Sequence, residues 1–276
     1  MAARPANAAP IGVFDSGVGG LTVLRALRTA LPREDFLYLG DTARLPYGTK
    51  GAGTVVRYAL QASQLLVDRG IKCLVVACNT ASAVALPVLT AVYAPVPVLG
   101  VVEPGARAAV AASKGRPIAV IATEGTVNGG AYVRAIHALK PDAKVVQRAC
   151  PLFVALAEEG WTDGDVPERA AERYLHEMFA ALERPDTLVL GCTHFPVLVK
   201  AIAKAVGNKV TLVDSAATTA LEVETLLDTR ALRRQGPLKP PTFIGTDAPE
   251  RFARVGSGFF GRTIAPDQVE LVDLTP

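Results

Sequence analysis

The residues best placed to do chemistry are two of the four cysteines, Cys78 and Cys192. Each closes a short apolar run: LVVACNT over residues 74–80 and LVLGCTH over residues 188–194. Each is followed by a helix-start signal, with Asn79 or Thr80 as cap after the first and Pro196 suited to the first turn after the second. A thiol beside a helix N-terminus meets free N–H groups and the positive end of the dipole, which favour thiolate. His194, two residues beyond Cys192, could orient or protonate a thiol or a ligand. The commonest fate of a free cysteine is burial in a core, and that is the expectation for Cys73, at a strand start, and for Cys150.

Other thiol chemistries fit less well. Zinc needs a third and usually a fourth ligand, and His137 and His176 fall in helical segments. No Cys-x-x-Cys is present, and a thiol hydrolase would leave one cysteine unexplained. A disulfide between the two would destroy both thiolates. Paired acid–base work by two free thiols is the reading that uses both.

Asp15 and Ser16 end an apolar run and open a glycine-rich turn to Gly20. This is a weak match to a phosphate loop, because neither the dinucleotide fingerprint nor a following Gly-Lys-Ser/Thr is present. Asp15 is expected to face a thiol or an ammonium. The loop GDTARLPYG, residues 40–48, offers the Tyr47 hydroxyl and the Gly48 N–H, whereas Asp41 and Arg44 are expected to pair and hold the loop.

Short β-branched runs alternate with helical periodicity. Strands are expected at 11–14, 36–39, 73–77, 96–102, 117–122, 144–147, 187–190 and 210–213, with helices at 21–31, 55–67 and 81–92 among others. This pattern predicts an α/β fold with largely parallel sheets covered by helices, and ligands beyond the carboxyl ends of the strands. An imperfect repeat runs through it. IGVFDSGVGG from Ile11 resembles IAVIATEG from Ile118, and Cys78 and Cys192 follow these openings by 67 and 74 residues. The prediction is two similar, pseudo-two-fold-related α/β domains with the site in the cleft between them. Residues 11–98 with 210–276 would form the first and 99–209 the second, the return beginning at residues 210–216.

The chain of 276 residues carries a formal charge of only +3, without a basic stripe, so neither nucleic acid nor a membrane surface is an expected partner. No apolar run approaches the ~20 residues that span a bilayer. Residues 1–10 lack the apolar core of a secretory signal and read as a short disordered tail. Reduced thiols and the cytoplasm are therefore expected. Oligomeric state, including a homodimer, is left open, as is the role of residues 237–276.

Six segments in order resemble glutamate racemase: IGVFDSGVGGLTV from Ile11, GDTARLPYG from Gly40, ACNTAS from Ala77, ATEGTV from Ala122, CPLFV from Cys150 and LGCTHFP from Leu190. Gly129, Ala155 and Gly-Ala-Gly at 51–53 depart from the usual family residues. The resemblance implies a cofactor-independent isomerase, without metal, pyridoxal phosphate or nucleotide, that supplies D-glutamate for the cell wall. It implies that Cys78 and Cys192 are the two bases, that Asp15 assists Cys78, and that His194 with Glu158 assists Cys192. Ser16, Pro46, Tyr47, Gly48, Asn79, Thr80, Thr126 and Thr193 would join Asp15 and His194 in holding L- or D-glutamate. A related racemase acting on aspartate, and a non-catalytic amino-acid-binding protein, are the rival readings.

Overall fold

The apolar runs form the centres of two parallel sheets. The computed structural model describes residues 6–274. Strand β1 (Ile11–Asp15) leads through the glycine turn into α1 (Leu21–Ala30), followed by β2 (Phe36–Gly40) and α2 (Ala52–Asp68). Then come β3 (Cys73–Val76), α3 (Asn79–Val92), β4 (Val98–Gly100) and α4 (Val102–Ala112). The second pass runs β5 (Ile118–Ala122), α5 (Glu124–Asn128), α6 (Ala131–Leu139), β6 (Val145–Ala149), α7 (Leu152–Glu158) and α8 (Asp165–Ala180). It continues through β7 (Thr187–Gly191), α9 (Val199–Val206), β8 (Thr211–Asp214) and α10 (Ser215–Thr229). The chain ends with β9 (Thr242–Gly245), α11 (Pro249–Phe260) and β10 (Val269–Leu271).

Strands β1, β3, β5 and β7 are buried along their whole lengths. Helices cover both faces, so these strands read as unbroken apolar runs rather than as alternation. The six-stranded sheet has the order β10-β9-β2-β1-β3-β4 and the four-stranded sheet the order β6-β5-β7-β8, with every pairing parallel. The block β2-β1-β3-β4 thus recurs as β6-β5-β7-β8. Cys78 follows β3 and Cys192 follows β7, so the thiols occupy equivalent strand ends. In both sheets the chain passes from the two central strands to neighbours on opposite sides, which opens a crevice at their carboxyl ends.

Three expectations need correction. Strand β4 pairs with β3 through Gly100, and β8 pairs with β7, so residues 211–214 complete the second sheet instead of starting the return. The return is made by α10, which packs on α1 as well as on α4. Residues 6–8 form a 3-10 turn rather than tail, and the Lys72 ammonium donates to the Asn7 carbonyl at 3.0 Å; residues 1–5 of that tail lie outside the described residues. Residues 237–274, whose role the sequence leaves open, are built into the fold, since β9 and β10 extend the first sheet and α11 buries Phe252, Phe259 and Phe260.

Candidate active site

Cys78 is itself the N-cap of α3, its Sγ accepting from the Ala81 N–H at 3.4 Å, where the sequence suggests Asn79 or Thr80. Its Sγ also lies 3.5 Å from Ser16 Oγ, at the end of the neighbouring strand β1. The helix N-terminus favours thiolate, but burial wins. Desolvation, followed by the adjacent Asp15 carboxylate, pushes the Cys78 thiol up to about 12 against the opposing Ser16 and Ala81 contacts. The helix dipole is a contribution of about 1 kcal/mol, whereas removing a thiolate from water costs several. Asp15 is itself 1% exposed. Burial raises its carboxyl, partly offset by His194 and by backbone N–H groups. Its Oδ2 accepts from Gly17 N at 3.0 Å, while Oδ1 has no hydrogen-bond partner among the described residues.

The setting of Cys192 differs from that of Cys78. After β7 the chain makes a 3-10 turn (Phe195–Leu198) before α9, so Cys192 caps no α-helix directly. Its partner is an imidazole instead. His194 Nδ1 lies 3.8 Å from Cys192 Sγ, and His194 Nε2 lies 3.3 Å from Glu158 Oε1. Burial alone would lower the imidazole, but the bonds to Cys192 and Glu158 outweigh it and hold His194 up at about 10. Glu158, at the end of α7, is held below the usual carboxylate range by its bond to His194, with Arg251 adding to the effect. It is thus a paired carboxylate and not a free one at a helix end.

The two clusters meet across the cleft. Thr80 Oγ1 on α3 lies 3.0 Å from Thr123 Oγ1 and 3.2 Å from Thr126 Oγ1, and the latter two are 3.1 Å apart. Tyr132 on α6 donates its hydroxyl to Asn79 Oδ1 at 2.8 Å, leaving Asn79 Nδ2 buried without a partner among the described residues. Thr22 on α1 donates at 3.0 Å to the carbonyl of Thr193, whose Oγ1 lies 3.4 Å from His194 Nδ1. In the 40–48 loop, Tyr47 donates its hydroxyl to Asp41, which also accepts from Arg44 Nε at 2.7 Å. The Asp41–Arg44 pairing is as expected. The Tyr47 hydroxyl is a brace for the loop rather than a group offered to the cleft. Pro46 leads into the 3-10 turn Tyr47–Thr49, which sets Gly48 against Thr123; a Cβ on Gly48 would stand 2.8 Å from Thr123 Cβ.

Thr123, Tyr132, Arg251 and Phe259 are site neighbours that the sequence reading does not reach. Thr123 follows β5 as Ser16 follows β1, so the repeat carries a signal for it. Arg251 is 93 residues from its partner Glu158, with no local pattern to mark it. Cys73 and Cys150 are buried, and all four cysteines are free. Among the described residues, no group of three His, Cys, Asp or Glu side chains could hold a metal ion, and no helix is long and apolar enough to cross a membrane.

Two free thiols thus stand at matching strand ends, Cys78 within electrostatic reach of Asp15 and Cys192, and Cys192 beside His194. The model of the Asp/Glu/Hydantoin racemase family matches residues 11–223. The glutamate racemase of Geobacter metallireducens is 51% identical over 258 residues, covering 91% of this chain and 92% of its own. The chain belongs to the glutamate racemase family. A Bacillus anthracis glutamate racemase structure superposes with a TM-score of 0.91 at 36% identity, covering 96% of this chain and 98% of that one. The Francisella tularensis glutamate racemase, solved in complex with D-glutamate, gives 0.89 at 35% identity over 97% of this chain and 98% of that one. Glutamate racemases thus share both halves of this architecture and the C-terminal return.

Proposed function

We propose that this protein interconverts L- and D-glutamate through Cys78 and Cys192, one acting as base and the other as acid, and so supplies D-glutamate for peptidoglycan. The observation that carries this reading is the placement of the two thiols at equivalent strand ends of two like halves. Inversion requires a proton to leave one face of the α-carbon and another to arrive at the opposite face. A single base tends to return its proton where it found it; two opposed groups invert directly.

One thiolate and one thiol make up the working pair. Cys78 as thiolate takes the α-proton of one enantiomer, and the Cys192 thiol delivers its proton from the other side. For the second enantiomer the roles exchange. Before the next turnover of the same enantiomer Cys78 gives its proton to solvent, while His194, held up at about 10, resupplies Cys192 and takes a proton back from solvent, Glu158 holding the imidazolium. Asp15 serves Cys78 and faces the substrate ammonium. The unpartnered Asn79 amide, the Thr80, Thr123 and Thr126 hydroxyls, Ser16, Thr193 and the turn N–H groups at Gly48 hold the two carboxylates. Short polar groups and helix N-termini suit anions without burying a lysine or arginine.

Cys78 and Cys192 are each only 6% exposed, so substrate entry requires the two halves to part and then close, excluding water. The reduced state of all four cysteines suits a cytoplasmic enzyme.

The test is incubation of L- or D-glutamate in deuterated water with wild type, Cys78→Ala and Cys192→Ala, read by circular dichroism and NMR. Wild type inverts with solvent deuterium at the α-carbon, and each variant loses inversion. Full racemisation by either variant would sink the two-thiol mechanism, and turnover of aspartate at the rate of glutamate would overturn the substrate assignment.

A further inference from the structure

The C-terminal segment reaches the site through α11. This helix is set by Pro249 in its first turn and by Gly261 in the left-handed region at its end (φ 75°). Its apolar face packs Phe252, Val255, Phe259 and Phe260 into the core. Two of its side chains then meet the Cys192 cluster. The Phe259 ring stands edge-on to the His194 imidazole at 5.0 Å between centroids. Arg251 Nη2 donates to Glu158 Oε2 at 2.7 Å, while the other oxygen of the same carboxylate, Oε1, lies 3.3 Å from His194 Nε2.

We propose that Arg251 is a positioning residue for the Cys192 half of the reaction, holding Glu158 at the angle at which its second oxygen meets His194. The inference rests on the reading above, in which His194 and Glu158 serve Cys192. A glutamate carboxyl rotates almost freely about its last torsion, with broad two-fold preferences. Charge-assisted bonds to both oxygens remove that freedom. Phe259 limits the imidazole from another direction, so the order Arg251, Glu158, His194, Cys192 forms one braced line.

Arg251 is half-exposed, so as a plain surface ion pair it would contribute little to stability. Its effect is expected in turnover instead. The charged groups around His194 are Cys192, Asp15 and Glu158, with Arg251 behind Glu158. If Arg251 only added positive charge near the imidazolium, its removal would help His194 keep its proton. If it positions Glu158, its removal lets the carboxylate swing away and His194 releases its proton at lower pH. The two roles move the alkaline limb of the kcat profile in opposite directions.

The experiment compares wild type, Arg251→Met, Arg251→Lys, Glu158→Gln and the double variant Arg251→Met/Glu158→Gln. For each, kcat and KM for glutamate are measured from about pH 6 to about pH 10.5, with thermal unfolding alongside. Arg251→Met is expected to lower kcat roughly three- to tenfold, with KM nearly unchanged and the alkaline limb displaced to lower pH. Arg251→Lys recovers most of the rate, and the double variant behaves like Glu158→Gln alone. A wild-type profile for Arg251→Met, an upward displacement of the limb, or the same loss repeated in the Glu158→Gln background would overturn the proposal. A Glu158→Gln enzyme with wild-type kinetics would instead overturn the assignment of Glu158 on which it rests.

Discussion

Gly19 lies where the two halves approach closely beside the reacting groups. A Cβ built there would stand 2.5 Å from His194 Cε1, His194 Nδ1 and Thr193 Oγ1. Ordinary contact begins near 3.4 Å, so Gly19→Ala must drive these atoms apart by about 0.9 Å. His194 cannot yield cheaply, because Cys192, Glu158 and Phe259 already surround it. A displacement of about 1 Å in a catalytic group costs on the order of 100-fold in rate, and that loss in kcat/KM is the expected result. Gly17→Ala, in the same turn, is the control, since its Cβ would meet only Leu45, with Cδ2 nearest at 3.5 Å. Racemisation of each enantiomer followed by circular dichroism reads the effect, and the far-ultraviolet spectrum checks the fold. Activity of Gly19→Ala within about threefold of wild type, or an equal loss in Gly17→Ala, would refute the argument that this glycine exists for close approach.

Three further outcomes are expected. Burial opposes the charged form of His194, but the bonds to Cys192 and Glu158 outweigh it and raise the folded pKa from 6.5 to about 10. Its protonation therefore stabilises the fold fully below pH 6.5, and that contribution is lost as pH rises through about 10. Urea midpoints taken across this window should fall more steeply for wild type than for His194→Gln; equal slopes would contradict the assignment. Tyr132→Phe strands the buried Asn79 oxygen and frees the amide to turn, at a cost of about 1–3 kcal/mol. KM for glutamate should rise about tenfold with a smaller change in kcat, whereas an unchanged KM would detach Asn79 from substrate. Lys72 and Glu34, each with a side chain 2% exposed, form a buried ion pair that also ties down the Asn7 and Leu232 carbonyls. Lys72→Met should lose about 3–5 kcal/mol by urea unfolding, and a loss below about 1 kcal/mol would show Glu34 finding other partners.

How much of this is legible in the sequence depends on the range of the interaction. The central strands announce themselves because continuous burial writes an unbroken apolar run, and the repeat of strand, turn and cysteine locates both thiols. The expected partnership of Asp41 with Arg44 rests on a loop only a few residues long. Strand β8 is misassigned because Val-Thr-Leu-Val reads alike in either sheet; only its pairing with β7 decides the matter. The Tyr47 hydroxyl goes to substrate in the sequence reading because nothing local reveals that Asp41 claims it. Arg251 and Phe259 leave no trace near the motifs they serve. Contacts between segments so far apart in sequence have no periodicity to betray them.

The largest departure, the basicity of Cys78, bears on how the site works. Sequence context argues for a standing thiolate, yet the buried thiol is held at about 12. At about pH 8, forming the thiolate in the unliganded protein costs about 5 kcal/mol. An ammonium about 4 Å away in an effective dielectric of about 20 contributes about 4 kcal/mol in the opposite direction. The substrate's own amino group is thus of the right sign and size to offset most of that cost once the cleft closes. Asp15 adds its negative charge to the barrier in the free protein, and on the proposed reading it would draw the ammonium in on binding. A base assembled this way is weakly reactive when idle, which protects it from oxidation and alkylation, and strongly basic when substrate is present. Burial, which works against a standing thiolate, confines the thiol's chemistry to the moment when a proton must move.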